Sequence, residues 1–183
     1  MTDLYRAALD DLARVFARLE PGPVERAVEA IAKARQLALY GVGREGLQMR
    51  GFAMRLYHLG LKSSVVGDMS APQLGTGDLF LASAGPGHFA TVEALLGVAR
   101  RDGARTLVVT AEASGPCARA ADLVLLVPAQ TMARDQAAPT SVLPMGSLYE
   151  GALFLLFEVM ILKLRERLGV SAEAMRARHT NLE

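Results

Sequence analysis

The stretch Gln36-Leu37-Ala38-Leu39-Tyr40-Gly41-Val42-Gly43-Arg44-Glu45-Gly46 decides how this chain is read. A short apolar run passes into a glycine-rich turn, and residues 45–59 then recur at helical period. Strand, loop and helix in that order form the opening unit of a parallel α/β fold. The same texture returns downstream. Ser63–Val66, Leu79–Ala82, Thr106–Thr110 and Asp122–Val127 read as further strands, and 88–102 as a helix. The predicted fold class is therefore α/β: a five-stranded parallel sheet with helices on both faces, a Rossmann-like three-layer sandwich with right-handed crossovers. Near-continuous apolar strands such as Leu79-Phe80-Leu81-Ala82 fit a sheet buried on both sides.

Outward from this core, Leu4, Ala8, Leu12, Val15, Phe16 and Leu19 predict an amphipathic helix over 3–18. Pro21-Gly22-Pro23 punctuates the chain, and Pro23 suits the first turn of a second helix carrying Val24, Ala27, Val28 and Ile31. After residue 128 comes a polar loop of about seventeen residues with Pro128, Pro139 and Pro144, long enough to suggest a function. A helix over 148–168 follows, apolar on most of its circumference (Leu153, Phe154, Leu155, Leu156, Phe157, Val159, Met160, Ile161) and ended by Gly169. Such a helix is expected to be buried all round, which in a small domain implies a subunit interface. A short helix from Ser171 and a polar tail close the chain. With no internal repeat, low-complexity tract or linker, residues 1–183 read as one domain: N-terminal helices 1–34, a βαβ core 36–128, and C-terminal helices and tail 146–183.

The composition excludes several classes. Half of the residues (51%) are apolar and 21% charged, with a mean hydropathy of +0.24, too apolar for a disordered chain. Twenty basic against nineteen acidic residues leave no electrostatic footprint for nucleic acid or an anionic membrane. The single Cys117 excludes a disulfide framework, and His58, His88 and His179 lie too far apart in sequence to suggest a metal-ligand cluster. The acidic N-terminus is not a signal peptide, and Gly151–Leu164 is too short, and too interrupted by Glu158 and Lys163, to span a bilayer. A cytoplasmic protein is expected.

Two glycine-rich turns follow predicted strands and open helices: Gly41 to Gly46, and Ala84-Gly85-Pro86-Gly87-His88. Beyond the carboxyl ends of parallel strands, such turns let backbone N–H groups approach an anion; alternatively, they are tight turns that need positive φ. The first turn also matches G-x-G-x-x-G, with Asp68 lying 22 residues past Gly46, the outline of a dinucleotide fingerprint. That reading leaves the second turn, the long loop and the tail without roles. Glu150, in Ser147-Leu148-Tyr149-Glu150, fits a capping box with Ser147 as N-cap, or a carboxylate at a helix start available as a general base. His58, amid Phe52, Ala53, Leu56 and Tyr57, reads as a packed core or interface residue, His88 as a turn cap or ligand contact, and His179 as a solvated tail residue.

The segments GVGREG, FAMRLYHLGLKSSVVGD, GDLFLASAGPG, PMGSLYE, ILKLRERLG and RHTNLE, in this order from about residue 36 to the end, resemble the 6-phospho-3-hexuloisomerases of the sugar isomerase (SIS) fold. The resemblance implies a five-stranded parallel sheet between helices, a homotetramer, and interconversion of 3-hexulose 6-phosphate with fructose 6-phosphate through an enediol. It implies Glu150 as the base and His179 as its proton-managing or ring-opening partner, with no metal or organic cofactor. Gly43, Arg44, Glu45, Ala84, Gly85, Gly87, His88 and Ser114 would line the sugar site. The family's loops usually read G-x-G-R-S-G and S-G-S-G-E-T; here Glu45 replaces the serine of the first, and Ala84, Pro86, His88 and Phe89 replace Ser, Ser, Glu and Thr in the second. Those changes remove hydroxyl donors and add a carboxylate that repels a dianion, leaving backbone N–H groups, Arg44 and Ser114 or Thr110. A free sugar substrate, or a sugar-binding regulatory module without turnover, would also fit such loops.

Overall fold

The computed structural model describes residues 3–136 and 139–182. The elements run α1 (Leu4–Ala17), α2 (Pro21–Lys33), β1 (Leu37–Gly41), α3 (Gly43–His58), β2 (Ser63–Val65), β3 (Leu79–Ser83), α4 (Ala90–Arg101), β4 (Arg105–Thr110), α5 (Pro116–Ala120), β5 (Leu123–Leu126), α6 (Ser147–Leu168) and α7 (Ala172–Ala177). All five strands are parallel, in the order β2-β1-β3-β4-β5. The chain leaves β1 toward β2 on one side and returns to β3 on the other. The carboxyl ends of β1 and β3 therefore flank the point where strand order reverses, the place where open α/β sheets form a crevice.

Alternation along the strands feeds two core layers. Leu37, Leu39, Leu79, Leu81, Leu107 and Val109 face α2, α3 and α6, whereas Ala38, Phe80, Ala82 and Val108 face Val92, Leu96 and Cys117 of α4 and α5. Phe52 of α3 stacks on Phe157 of α6 with ring centroids 4.3 Å apart, tying the two helices that carry the site. Within one chain α6 is not buried all round: Phe154 (57%), Leu155, Val159 and Leu162 (56%) stay exposed as an apolar stripe. No helix among the described residues is long and apolar enough to cross a membrane.

The long loop is held by polar side chains. Asp11 of α1, buried, accepts hydrogen bonds from Ser141 Oγ (2.6 Å) and Val142 N–H (2.9 Å), and Gln130 accepts from Thr140 N–H (2.6 Å). At the opposite, amino-terminal rim of the sheet, the buried Asp78 accepts two bonds from Arg35 (both 2.9 Å) and further bonds from Gln36 Nε2 and Gly75 N–H. The Arg35 hydrogen bonds lead in holding its carboxyl at about 2. A carboxylate whose pKa is depressed on folding contributes stability above its unfolded value and loses it as pH falls through the folded one. Stability should therefore fall between about pH 4 and pH 2 in wild type, and Asp78→Asn should flatten that part of a melting-temperature profile while lowering its neutral plateau. A superimposable acid limb in the variant would assign the fall to other groups.

Candidate active site

The turn from β1 into α3 is built on a close backbone approach. A Cβ on Gly46 would stand 2.5 Å from the Gly41 carbonyl oxygen, and one on Gly41 would stand 2.9 Å from Gly46 N. Gly43 differs: its φ is +56° and the space beside it is open. Gly46→Ala should thus cost about 2–4 kcal/mol through overpacking, and Gly43→Ala only about 1–2 kcal/mol for its left-handed backbone. Urea midpoints of the two variants check this order, and equal losses would contradict it.

That packing fixes the first turn of α3, from which two neighbouring side chains depart. Arg44 reaches α6, where Nε meets Glu150 Oε2 at 3.0 Å and Nη1 donates to Ser147 Oγ at 3.0 Å. Glu45 turns inward and is buried (6% exposed). Its Oε2 accepts from Ser83 Oγ at 2.5 Å and from Gly85 N–H at 2.9 Å, and Ser83 Oγ lies 3.2 Å from Tyr149 Oη. Gly85 is tightly enclosed: a Cβ there would stand 2.8 Å from both Glu45 Oε1 and the Tyr149 ring.

The capping-box expectation is corrected by this geometry. The N-cap of α6 is Gly146, with no side-chain cap bond, and Ser147 is the first helical residue, its hydroxyl engaged by Arg44. The pairing of Glu150 with Arg44 across the crevice takes the place of the local bond. Glu150 Oε1 lies 3.3 Å from where a Cβ on Gly146 would stand, so the glycine leaves the carboxylate room. Partial burial raises the Glu150 pKa above the ordinary carboxylate value, with Arg44 pulling the other way. Burial also raises Glu45, against its two hydrogen bonds and with the Glu150 charge adding to the rise, and pushes Tyr149 well above its usual range. Glu150 is thus a carboxylate held by one guanidinium at the mouth of the crevice, suited to taking a proton from carbon.

Of the residues expected from sequence, Gly43, Arg44, Glu45, Gly85 and Glu150 meet at this crevice. Gly87, with φ +88°, packs against Gly115 of the β4–α5 turn and shapes the second loop. Ala84 points into the α4/α5 core, and Ser114 offers its carbonyl to Arg119. His88 does not cap α4, whose N-cap is Phe89; its Nε2 pairs with Glu93 at 2.9 Å. His179 lies against the far end of α3, with its ring 5.3 Å from that of His58, beside Arg178 Nη1 donating to the His58 carbonyl. The sixteen residues of α3 span about 22 Å, so Glu150 and His179 of one chain stand at opposite ends of that helix. Ser83 and Tyr149, which join Glu45 in one buried network, were missed by the sequence reading. The signals were a hydroxyl at the last residue of an apolar strand and a tyrosine beside Glu150.

Among the described residues no group of three or more His, Cys, Asp or Glu side chains could hold a metal ion. A family model for the SIS domain matches residues 30–155. A protein of Methylomonas aminofaciens named 3-hexulose-6-phosphate isomerase is 33% identical over 183 residues, covering all of both chains. One of Mycobacterium gastri with the same name is 34% identical over 95% of this chain and 87% of its own. A solved structure from Methanococcus jannaschii, for which the function of 3-hexulose-6-phosphate isomerase was inferred, superposes with a TM-score of 0.85 at 25% identity, covering 98% of each chain.

Proposed function

This chain belongs to the SIS domain family, and from that premise we propose that it is a phosphosugar isomerase that interconverts 3-hexulose 6-phosphate and fructose 6-phosphate. The observation that carries the reading is Glu150: a partly buried carboxylate of raised pKa, fixed by Arg44 at the switch point of the sheet. In the forward direction Glu150 takes the proton from C2, the electron pair forms the C2–C3 double bond of an enediol, and the C3 carbonyl oxygen gains a proton. Reprotonation at C3, with loss of the O2 proton, leaves the carbonyl at C2. Arg44 holds Glu150 in place and keeps it ionised, while the glycine loops offer backbone N–H groups to the sugar.

The second proton-handling group is His179 of a neighbouring subunit. Its position at the opposite end of α3 from Glu150 within the chain, and the exposed α6 stripe that a second copy would cover, both support a homo-oligomer with sites shared between chains, a tetramer by family resemblance. Incubation with fructose 6-phosphate, followed by NMR detection of the 3-ketose at equilibrium, tests the function. A folded, oligomeric protein that leaves the sugar unchanged would refute it.

A further inference from the structure

The glycine turn after β3 already holds a carboxyl group, and it belongs to the chain itself. Glu45 Oε2 takes both the Ser83 hydroxyl and the Gly85 N–H, while Oε1 lies over the Gly85 Cα, where no side chain could fit. These donors stand at the carboxyl end of β3, where an α/β sheet presents N–H groups to a ligand oxyanion. We propose that Glu45 is the specificity determinant of this site: its carboxylate occupies the oxyanion subsite, so that a phosphoryl group or other dianion enters only when Glu45 has taken up a proton. The inference rests on the phosphosugar reading of the site and specifies how the charged end of the substrate is admitted.

Among the described residues, the surroundings of Glu45 supply no counter-charge to offset a second anion. On its own helix, Arg44 is engaged by Glu150. From α6 come the Glu150 carboxylate, whose charge acts unfavourably on Glu45, and the Tyr149 hydroxyl reached through Ser83. From α5 comes the Cys117 thiol, itself influenced by the Glu45 charge. Two like charges within hydrogen-bond reach of the same donors cannot both persist in a buried pocket, so one must be neutralised. Burial already favours the protonated form of Glu45. Once protonated, it can turn its O–H toward the incoming oxygen and become a donor.

Inorganic sulfate is the probe of choice, because its charge is constant across the working range. Titration calorimetry from pH 5.5 to 8.5, in pairs of buffers with different ionisation enthalpies, should show sulfate binding to wild type more tightly as pH falls, with uptake of about one proton per site. Glu45→Gln should bind sulfate and fructose 6-phosphate at least tenfold more tightly at pH 8, with no proton uptake; Glu45→Ser should follow it. The wild-type proton count needs no variant, so a misfolded substitution leaves the test intact. A wild-type affinity that ignores pH, or equal affinities in wild type and Glu45→Gln, overturns the proposal. Isomerisation assayed on the same preparations separates the two readings. Turnover without proton linkage removes the role of Glu45 and keeps the isomerase, whereas linkage without turnover does the reverse.

Discussion

Glu150→Gln is expected to lower turnover by roughly 10² to 10⁴ while moving the melting temperature little. The amide keeps the size of the side chain and can still accept from Arg44, but it cannot take a proton from carbon. The ion pair it loses is half-exposed on the arginine side, and such pairs contribute about 1 kcal/mol or less. Because burial raises the Glu150 pKa, and the base must be ionised, wild-type kcat/KM should decline on the acid side below a midpoint above the ordinary glutamate value. A variant that loses stability but keeps its activity per folded molecule would reduce Glu150 to a structural partner of Arg44.

The second large effect comes from mixing two dead proteins. Glu150→Gln and His179→Asn should each be inactive as homo-oligomers. Unfolded together and refolded, they should regain activity if a site combines Glu150 of one chain with His179 of another, since random assembly places both intact groups together in roughly a quarter of the sites. If each site is built within one chain, every site carries a lesion and nothing returns. Within a chain the two groups stand at opposite ends of α3, so recovery is the expected result. A monomer on a sizing column would end the idea before mixing.

The sheet was legible because its strands are short apolar runs closed by glycine turns: Leu37 to Tyr40 could hardly be anything else once a helical period follows at residue 45. The α6 boundary was read within one residue. Its cap was misread because spacing sees only neighbours in sequence, and the Ser147 hydroxyl has a guanidinium 103 residues away to accept from. The same blindness hid Ser83 and Tyr149. Each looks like an ordinary element residue until the sheet brings residues 45, 83 and 149 together. The stripe on α6 was visible as excess hydrophobicity, but which positions stay exposed depends on where α1, α2 and α3 lie against it.

That stripe also bears on the order of events at the ribosome. Phe154, Leu155, Val159 and Leu162 follow all five strands in the chain, and a nascent chain emerges N-terminus first at about 5–20 residues per second. By the time α6 is made, all the strands it packs against have been synthesised, so its inner face has a partner before its outer face can meet a neighbour. The exposed apolar stripe is displayed only after every strand. In the oligomer proposed above, subunits should then meet as nearly finished bodies rather than as tangled intermediates, and assembly would be paced by protein concentration instead of by translation.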